Sequence, residues 1–399
     1  MMTLEEALDR ILSSINPLPE EVVAISEAVG RVPTQALLAP TDLPPFDNSA
    51  FDGYAVRSVD VARASKENPV ILEATGSVKA GEAPVEIVGP GTCMRILTGA
   101  LLPAGADAVV MQEDTRIPRE GVVEVLDAVK AWEGVRMAGD DVRRGAVLAD
   151  AGEALRPAHM GLLAGSGFAR IAVHRRPRVT LLSTGNELIP LGGVLKPGQI
   201  YDSNSLLMRA LADQDRLPIV HTGHIPDTLE QTMAELHDAA RQADVVVTTG
   251  GVSVGDADFV KPAMAALGGS LDLWRIAIKP GKPFAFGRLG AAYWFGLPGN
   301  PVSAFVTWWL LVRPALRRLM GRRSTRGRRV LACLAEPVAN RGDRRHFIRV
   351  RFDDAGKVRL AGVQASHVQS SLAIADALLD MPPGAHWETG REVMVECVD

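Results

Sequence analysis

The chain is poor in cysteine: Cys93, Cys333 and Cys397 are the only three among 399 residues, and no two lie close together. That scatter excludes a thiolate zinc site built from close pairs and fits a reducing compartment. A long apolar run is also missing. The stretch "FVTWWLLV", Phe305 to Val312, is closed after eight residues by Arg313, whereas a bilayer span needs ~20. The opening "MMTLEEALDR" is acidic and amphipathic, unlike the cationic and then apolar start of a secretory signal. Nor is there a surplus of positive charge, since 43 basic residues face 47 acidic ones for a formal net charge of -4. A generally basic nucleic-acid surface is thereby excluded. Internal repeats with a period of roughly 20 to 50 residues are absent too. The expectation is a cytoplasmic protein with neither nucleic acid nor membrane as a partner.

What the chain does have is length for ~two to four domains and a pattern that changes along it. Thr3 with Glu6 forms a capping box ahead of Leu4, Ala7, Leu8, Ile11, Leu12 and Ile15, which share one helical face. From Pro40 to about Val129 the text turns to Gly, Pro and short β-branched runs, the pattern of a β-rich unit. Strands then alternate with helices: "RVTLLSTGNEL", "SLLMRALADQ", "PIVHTGHI", "DTLEQTMAELHDAARQ", "ADVVVTTGG", "LDLWRIAI", "AAYWFGLPG" and "VSAFVTWWLLVRPALRRLM". This alternation predicts a mostly parallel sheet covered on both faces. The basic run "RRSTRGRR", Arg322 to Arg329, reads as a solvated linker into a small C-terminal β unit. The fold class expected is therefore multidomain α/β.

Chemistry concentrates at the strand ends of the alternating region. In "TTGGVSVGDADF", Thr248 to Phe259, two adjacent glycines and two aspartates follow an apolar strand and precede a helical pattern. Such a junction lies at the carboxyl rim of an α/β sheet, where ligands bind and free backbone N–H groups favour anions. Positive φ alone would also account for the glycines. Further stretches point to the same rim. "STGNELI" puts Glu187 beside Asp256 and Asp258, "IKPGKPF" puts Lys279 and Lys282 around a Pro-Gly turn, and "LPGNPVSAF" ends a strand at Pro298, Asn300 and Pro301. Asp227, with Glu230 behind it, reads as a helix cap. His221 and His224, three apart on a strand, should face opposite ways and form no metal site. Oxygen ligands without a Cys/His cluster favour magnesium, which bridges substrate phosphates while keeping water. Lysines and backbone N–H groups complete a phosphate or oxyanion cradle. The residues alone thus reach a magnesium-assisted enzyme acting on a phosphorylated small molecule.

A second polar cluster sits in the β-rich unit. "PPFDNSAFDGYAV" carries Asp47, Asn48, Ser49 and Asp52, and "RILTGALLPAGADAVVMQED" carries Thr98, Glu113 and Asp114. These stretches, followed in order by "STGNEL", "GQIYDSNS", "TTGGVSVGDADF", "KPGKP" and "LPGNPVS", resemble the molybdopterin molybdenumtransferase family, MoeA, which includes the C-terminal E domain of gephyrin. The resemblance runs through essentially the whole chain. It implies a mostly parallel three-layer α/β molybdopterin-binding domain at 176–321, a β-rich insertion domain at 46–139, a small discontinuous helical and extended domain at 1–45 and 140–175, and a C-terminal β domain at 322–399. It implies as activity the insertion of molybdenum into adenylated molybdopterin with release of AMP, the final step of molybdenum cofactor biosynthesis. Molybdate and the adenylated pterin are then substrates and Mg2+ the cofactor.

Carried over residue by residue, the resemblance makes Asp52, Glu187, Asp258, Lys279 and Lys282 catalytic. It makes Thr98, Gly250, Gly251, Ser253, Pro298, Asn300 and Pro301 substrate-binding, and Asp258 and Glu187 metal ligands. It further implies a homodimer, a separate molybdopterin adenylyltransferase as partner because none is fused within these 399 residues, and molybdoenzyme maturation proteins as further partners. The sequence departs from the family pattern at Gly134, Asp140, Ala365 and Asp376, where the family usually shows Asn, Glu, Gly and Asn. Ser370 or Ser371 is the expected C-terminal contribution. The competing readings are a molybdopterin adenylyltransferase, against which the extra β domains and the D-G-Y-A loop count, and a non-catalytic molybdopterin-binding scaffold.

Overall fold

The structure is a computed structural model and describes residues 1–252 and 258–398. The predicted capping box is present at its start. The Thr3 hydroxyl accepts from Glu6 N at 3.2 Å, and the Glu6 carboxylate accepts from Thr3 N at 2.9 Å. The helix that follows, Leu4–Ser13, buries Leu4, Ala7, Leu8 and Ile11. Its apolar face joins the core that holds Leu311 and Leu316, so this segment, grouped above with residues 1–45, packs into the α/β core. Beyond it, Glu20–Ala24 pairs antiparallel with Arg170–His174, and Leu37–Leu38 pairs with Val147–Ala149. Two distant parts of the chain are thereby tied into one unit around Leu37, Leu148, Leu163 and Val173.

Between those two parts lies a six-stranded sheet in the order Ala108–Met111, Gly53–Val56, Thr92–Ile96, Val70–Val78, Val122–Val125, Thr115–Arg119. The α/β region forms a second six-stranded sheet in the order Ile219–Ile225, Val179–Thr184, Val245–Thr249, Ala292–Leu297, Ala285–Leu289, Ser270–Trp274. Its first four strands are parallel and its last two antiparallel. The central strand shows why it sits there. Val245 and Val247 enter one core while Val246, pointing the other way, enters the other. Both faces of the strand are covered, as an apolar β-branched run requires.

Two elements differ from the sequence reading. "LDLWRIAI" is not one strand: Ser270–Trp274 closes the α/β sheet, Arg275 takes a positive φ of 69°, and Ile278–Lys279 pairs parallel with Arg345–Phe352 in the C-terminal sheet. The strand Ala285–Leu289 between Phe284 and the final α/β strand was not anticipated. The last long helix runs as Pro301–Thr307, a π turn Trp308–Val312 and Arg313–Leu319. Pro314 has no N–H to donate to the carbonyl four residues back, and a π turn absorbs that break.

Candidate active site

Parallel strands end on one rim, and here the register makes the ends coincide. Ser183 lies beside Thr249, and Thr249 beside Leu297. The three turns that follow line a cleft of about 540 Å³, contributing Gly185 and Glu187, Gly250 to Val252, and Pro298 to Asn300. The glycine pair is required by the backbone. Gly250 and Gly251 have φ of 85° and 65°, and a Cβ would lie 2.6 Å from Thr184 Oγ1 at Gly250 and 2.5 Å from Val260 Cγ2 at Gly251. The loop therefore packs its own backbone against Thr184, leaving backbone rather than side chain facing the cleft.

The turn bearing Glu187 is tied down from the adjacent strand. His224 Nε2 lies 2.7 Å from the Gly185 carbonyl. Asn186 N donates to Asp227 Oδ2 at 3.0 Å, while Asp227 N donates to Asn186 Oδ1 at 3.1 Å. Asp227 is thus not the cap of the next helix, which is Thr228, accepting from Gln231 N. It lines the cleft, as does Glu187. The sequence signal for it was its place just after a predicted strand end, on the same rim as Glu187. Asn300 likewise occupies the cap position of its helix without capping: its amide donates to Ser366 Oγ at 3.1 Å, drawing the C-terminal unit to the rim.

The fourth wall is the start of the helix Ser203–Gln214. Asp202 accepts from Ser205 N at 3.0 Å and from Ser205 Oγ at 2.6 Å, and Asn204 donates to the Gly299 carbonyl at 2.7 Å. Asp202, Ser203 and Asn204 line the cleft and were missed in the sequence, where "GQIYDSNS" read only as part of a family pattern. This twelve-residue helix has no acidic side chain in its first turn, but the Asp202 carboxylate at its cap already takes the Ser205 N–H.

The remaining expected residues distribute as follows. Pro298 and Asn300 line the cleft, and Pro301 opens the helix behind it. Lys279 and Lys282 are exposed and do not appear in the cleft wall among the described residues. Lys279 pairs with His346, and burial together with Lys279, Arg349 and Arg344 pushes the His346 imidazole down to about 4. Arg349, fully buried in the same strand, donates to Ser371 Oγ and to the carbonyls of Val363 and Ala365. Asp258 is half-buried just before the helix Val260–Ala266. Ser253 and Asp256 lie outside the described residues.

Asp52 and Thr98 meet each other and not the cleft. Asp52 Oδ1 accepts from Thr98 N and Thr98 Oγ1, both at 2.7 Å, and these bonds hold the exposed Asp52 carboxyl below its ordinary range. No described hydrogen bond or ion pair joins them to Glu187 or Asp227.

Residues 2–167 match the MoeA N-terminal region (domains I and II), 180–318 a probable molybdopterin binding domain, and 332–398 the MoeA C-terminal region (domain IV). A molybdopterin molybdenumtransferase of Haemophilus influenzae is 36% identical over 377 residues, covering 93% of this chain and 92% of its own. The chain belongs to the molybdopterin molybdenumtransferase family. Molybdopterin molybdenumtransferase 2 of Mycobacterium tuberculosis is 38% identical over 368 residues, 90% of each chain. A crystal structure of a molybdopterin biosynthesis MoeA protein from Pyrococcus horikoshii OT3 superposes with a TM-score of 0.85 at 30% identity, covering 100% of both chains.

At Gly134 the backbone gives a local reason for the departure from the family pattern. Gly134 has a φ of 73°, and a Cβ there would lie 2.6 Å from the Val109 carbonyl oxygen. Asp140 accepts from Met137 N at 2.7 Å, the Ala365 carbonyl accepts from Arg349, and Asp376 accepts from Phe352 N at 2.8 Å. None of the four is in the cleft wall.

Proposed function

We propose that the chain is a molybdopterin molybdenumtransferase that inserts molybdenum from molybdate into adenylated molybdopterin and releases AMP. The observation that carries this reading is the cleft at the carboxyl rim within the stretch matched as a probable molybdopterin binding domain. It sets the carboxylates of Glu187 and Asp227 against the backbone of Gly250 to Val252 and the start of the helix Ser203–Gln214. N–H donors hold the pyrophosphate, and Glu187 takes the proton of the water that splits it. Asp227 keeps the Glu187 turn in place. Lys279 and Lys282 attract the molybdate anion, and Gly250, Gly251, Ser253, Pro298, Asn300 and Pro301 shape the pterin seat.

We take Glu187 and Asp258 as hard oxygen donors suited to magnesium. No group of three His, Cys, Asp or Glu residues forms a ligand cage among the described residues, and magnesium is commonly held by one or two carboxylates with the rest from phosphate and water. Glu187 and Asp258 would hold it, and its charge would draw electron density from the phosphoanhydride oxygens.

Asp52 and Thr98 complete the site from a second copy of the chain in a homodimer, a reading supported by their separation from the cleft in one protomer. A separate adenylyltransferase supplies the substrate, maturation proteins take the product, and the work is cytoplasmic. Among the described residues no helix is long and apolar enough to cross a membrane. The test is incubation with adenylated molybdopterin, magnesium and either molybdate or tungstate. Oxyanion-dependent AMP release with metal on the pterin is expected; tight adenylate binding without turnover would instead favour a carrier.

A further inference from the structure

Away from the cleft, and sharing no lining residue with it, a second cavity of about 240 Å³ lies between the N-terminal unit and the α/β unit. Gly30 and Arg156 wall it on one side, and Asp215, Arg216 and Arg322 on the other. The surroundings hold a surplus of cations. Asp215 is already engaged by Arg313, which donates to it at 2.6 and 3.2 Å, with Arg317 at 3.7 Å. Glu21, which acts on Arg176, is taken by Arg31. Among the described residues, Arg176 and Arg216 donate only to the Val29 carbonyl, each at 3.3 Å.

Arg322 is the first residue of the basic run that reads in sequence as a solvated linker. It folds back instead. Its Nε is buried without a hydrogen-bond partner, and its guanidinium makes no ion pair among the described residues. Burial outweighs the attraction of Asp215 and holds the Arg322 guanidinium below its ordinary range, and burial followed by Arg313 holds Arg317 at about 10. Arg313, Arg317 and Arg322 thus share the single carboxylate of Asp215, and an anion in the cavity that Arg322 and Asp215 both line would supply the charge they lack. The helix Pro157–Gly165 starts at the same wall with no acidic residue in its first turn, so the positive end of its dipole adds to the field.

We infer that this cavity is a binding site for a phosphate-sized tetrahedral oxyanion, held by Arg322, Arg216 and Arg156. Bound there, the anion joins the N-terminal unit to the α/β unit. The same chemistry serves a free inorganic anion or the phosphoryl group of a nucleotide. Arginine suits both through its planar fork of donors.

The experiment titrates the full chain with inorganic phosphate, and separately with AMP, at constant ionic strength, by calorimetry. Saturable phosphate binding is expected that weakens at least tenfold in Arg322→Gln, with AMP release from adenylated molybdopterin unchanged. Arg156→Gln, at an exposed position, should weaken it as well and serves if Arg322→Gln does not fold. AMP binding no tighter than phosphate in the wild type identifies a free anion as the occupant. Tighter AMP binding, lost in the same variants, identifies a nucleotide phosphoryl group. Absence of saturable binding, or binding that survives both substitutions, overturns the assignment.

Discussion

Asp52 and Thr98, 46 residues apart in sequence, are joined by two hydrogen bonds of 2.7 Å onto a single carboxylate oxygen. Two donors on one oxygen stabilise the charged form, and the backbone N–H contributes most. The folded carboxyl therefore ionises at lower pH than in the unfolded chain. Its contribution to stability is present above the unfolded value of ~3.9 and is lost as pH falls through the folded one. Asp52→Asn should lower AMP release by ~10²-fold or more with thermal unfolding at neutral pH little changed, because the residue is exposed. Wild-type turnover in that variant would remove Asp52 from the catalytic set. Because the dimeric reading puts the Asp52 and Glu187 of one site on different subunits, mixing Asp52→Asn with Glu187→Gln subunits should restore part of the activity.

Glu187→Gln should lower AMP release by ~10²- to 10⁴-fold, the range for loss of a general base, with normal folding. Asp227→Asn acts differently, since the amide can still bond Asn186 and the turn persists. Asp227→Ala releases the turn, so a larger loss for Ala than for Asn is expected in steady-state kinetics. Equal losses would instead make the Asp227 charge itself essential.

His346 makes acid stability a specific prediction. Its folded value, about 4, lies below the unfolded value, so the unfolded chain binds the extra proton between the two. Stability should fall as pH drops from ~6.5 towards 4, by up to ~3 kcal/mol from this group. Urea unfolding at pH 7 and pH 5 should show a smaller loss for His346→Gln than for the wild type. An unchanged difference would mean that His346 titrates normally.

Ile11→Ala removes a fully buried side chain from the face that packs against the last helical run. A cost of ~2–5 kcal/mol is expected, seen as a lower denaturant midpoint. Gly250→Ala combines positive φ with a clash at 2.6 Å on Thr184 Oγ1. That variant should lose ~1–3 kcal/mol and bind adenylated molybdopterin more weakly, measurable by fluorescence quenching of the pterin.

Local patterning was enough for much of this protein. The Thr3–Glu6 capping box, the apolar central strand Val245–Thr249 and the glycine pair behind it are each written in contiguous residues whose physics is short-range. Ordered motifs supplied the family, because a substrate seat built from several loops leaves its mark at each loop. Tertiary structure alone decided where those loops' neighbours go. Asp227 reads as a cap until strand register sets it beside Asn186, and "LDLWRIAI" reads as one strand until Arg275 turns it between two sheets. Arg322 reads as solvated until the chain folds it into a seam already rich in arginine. In each case the deciding term is a partner distant in sequence, and neither periodicity nor spacing encodes which distant partner a side chain meets.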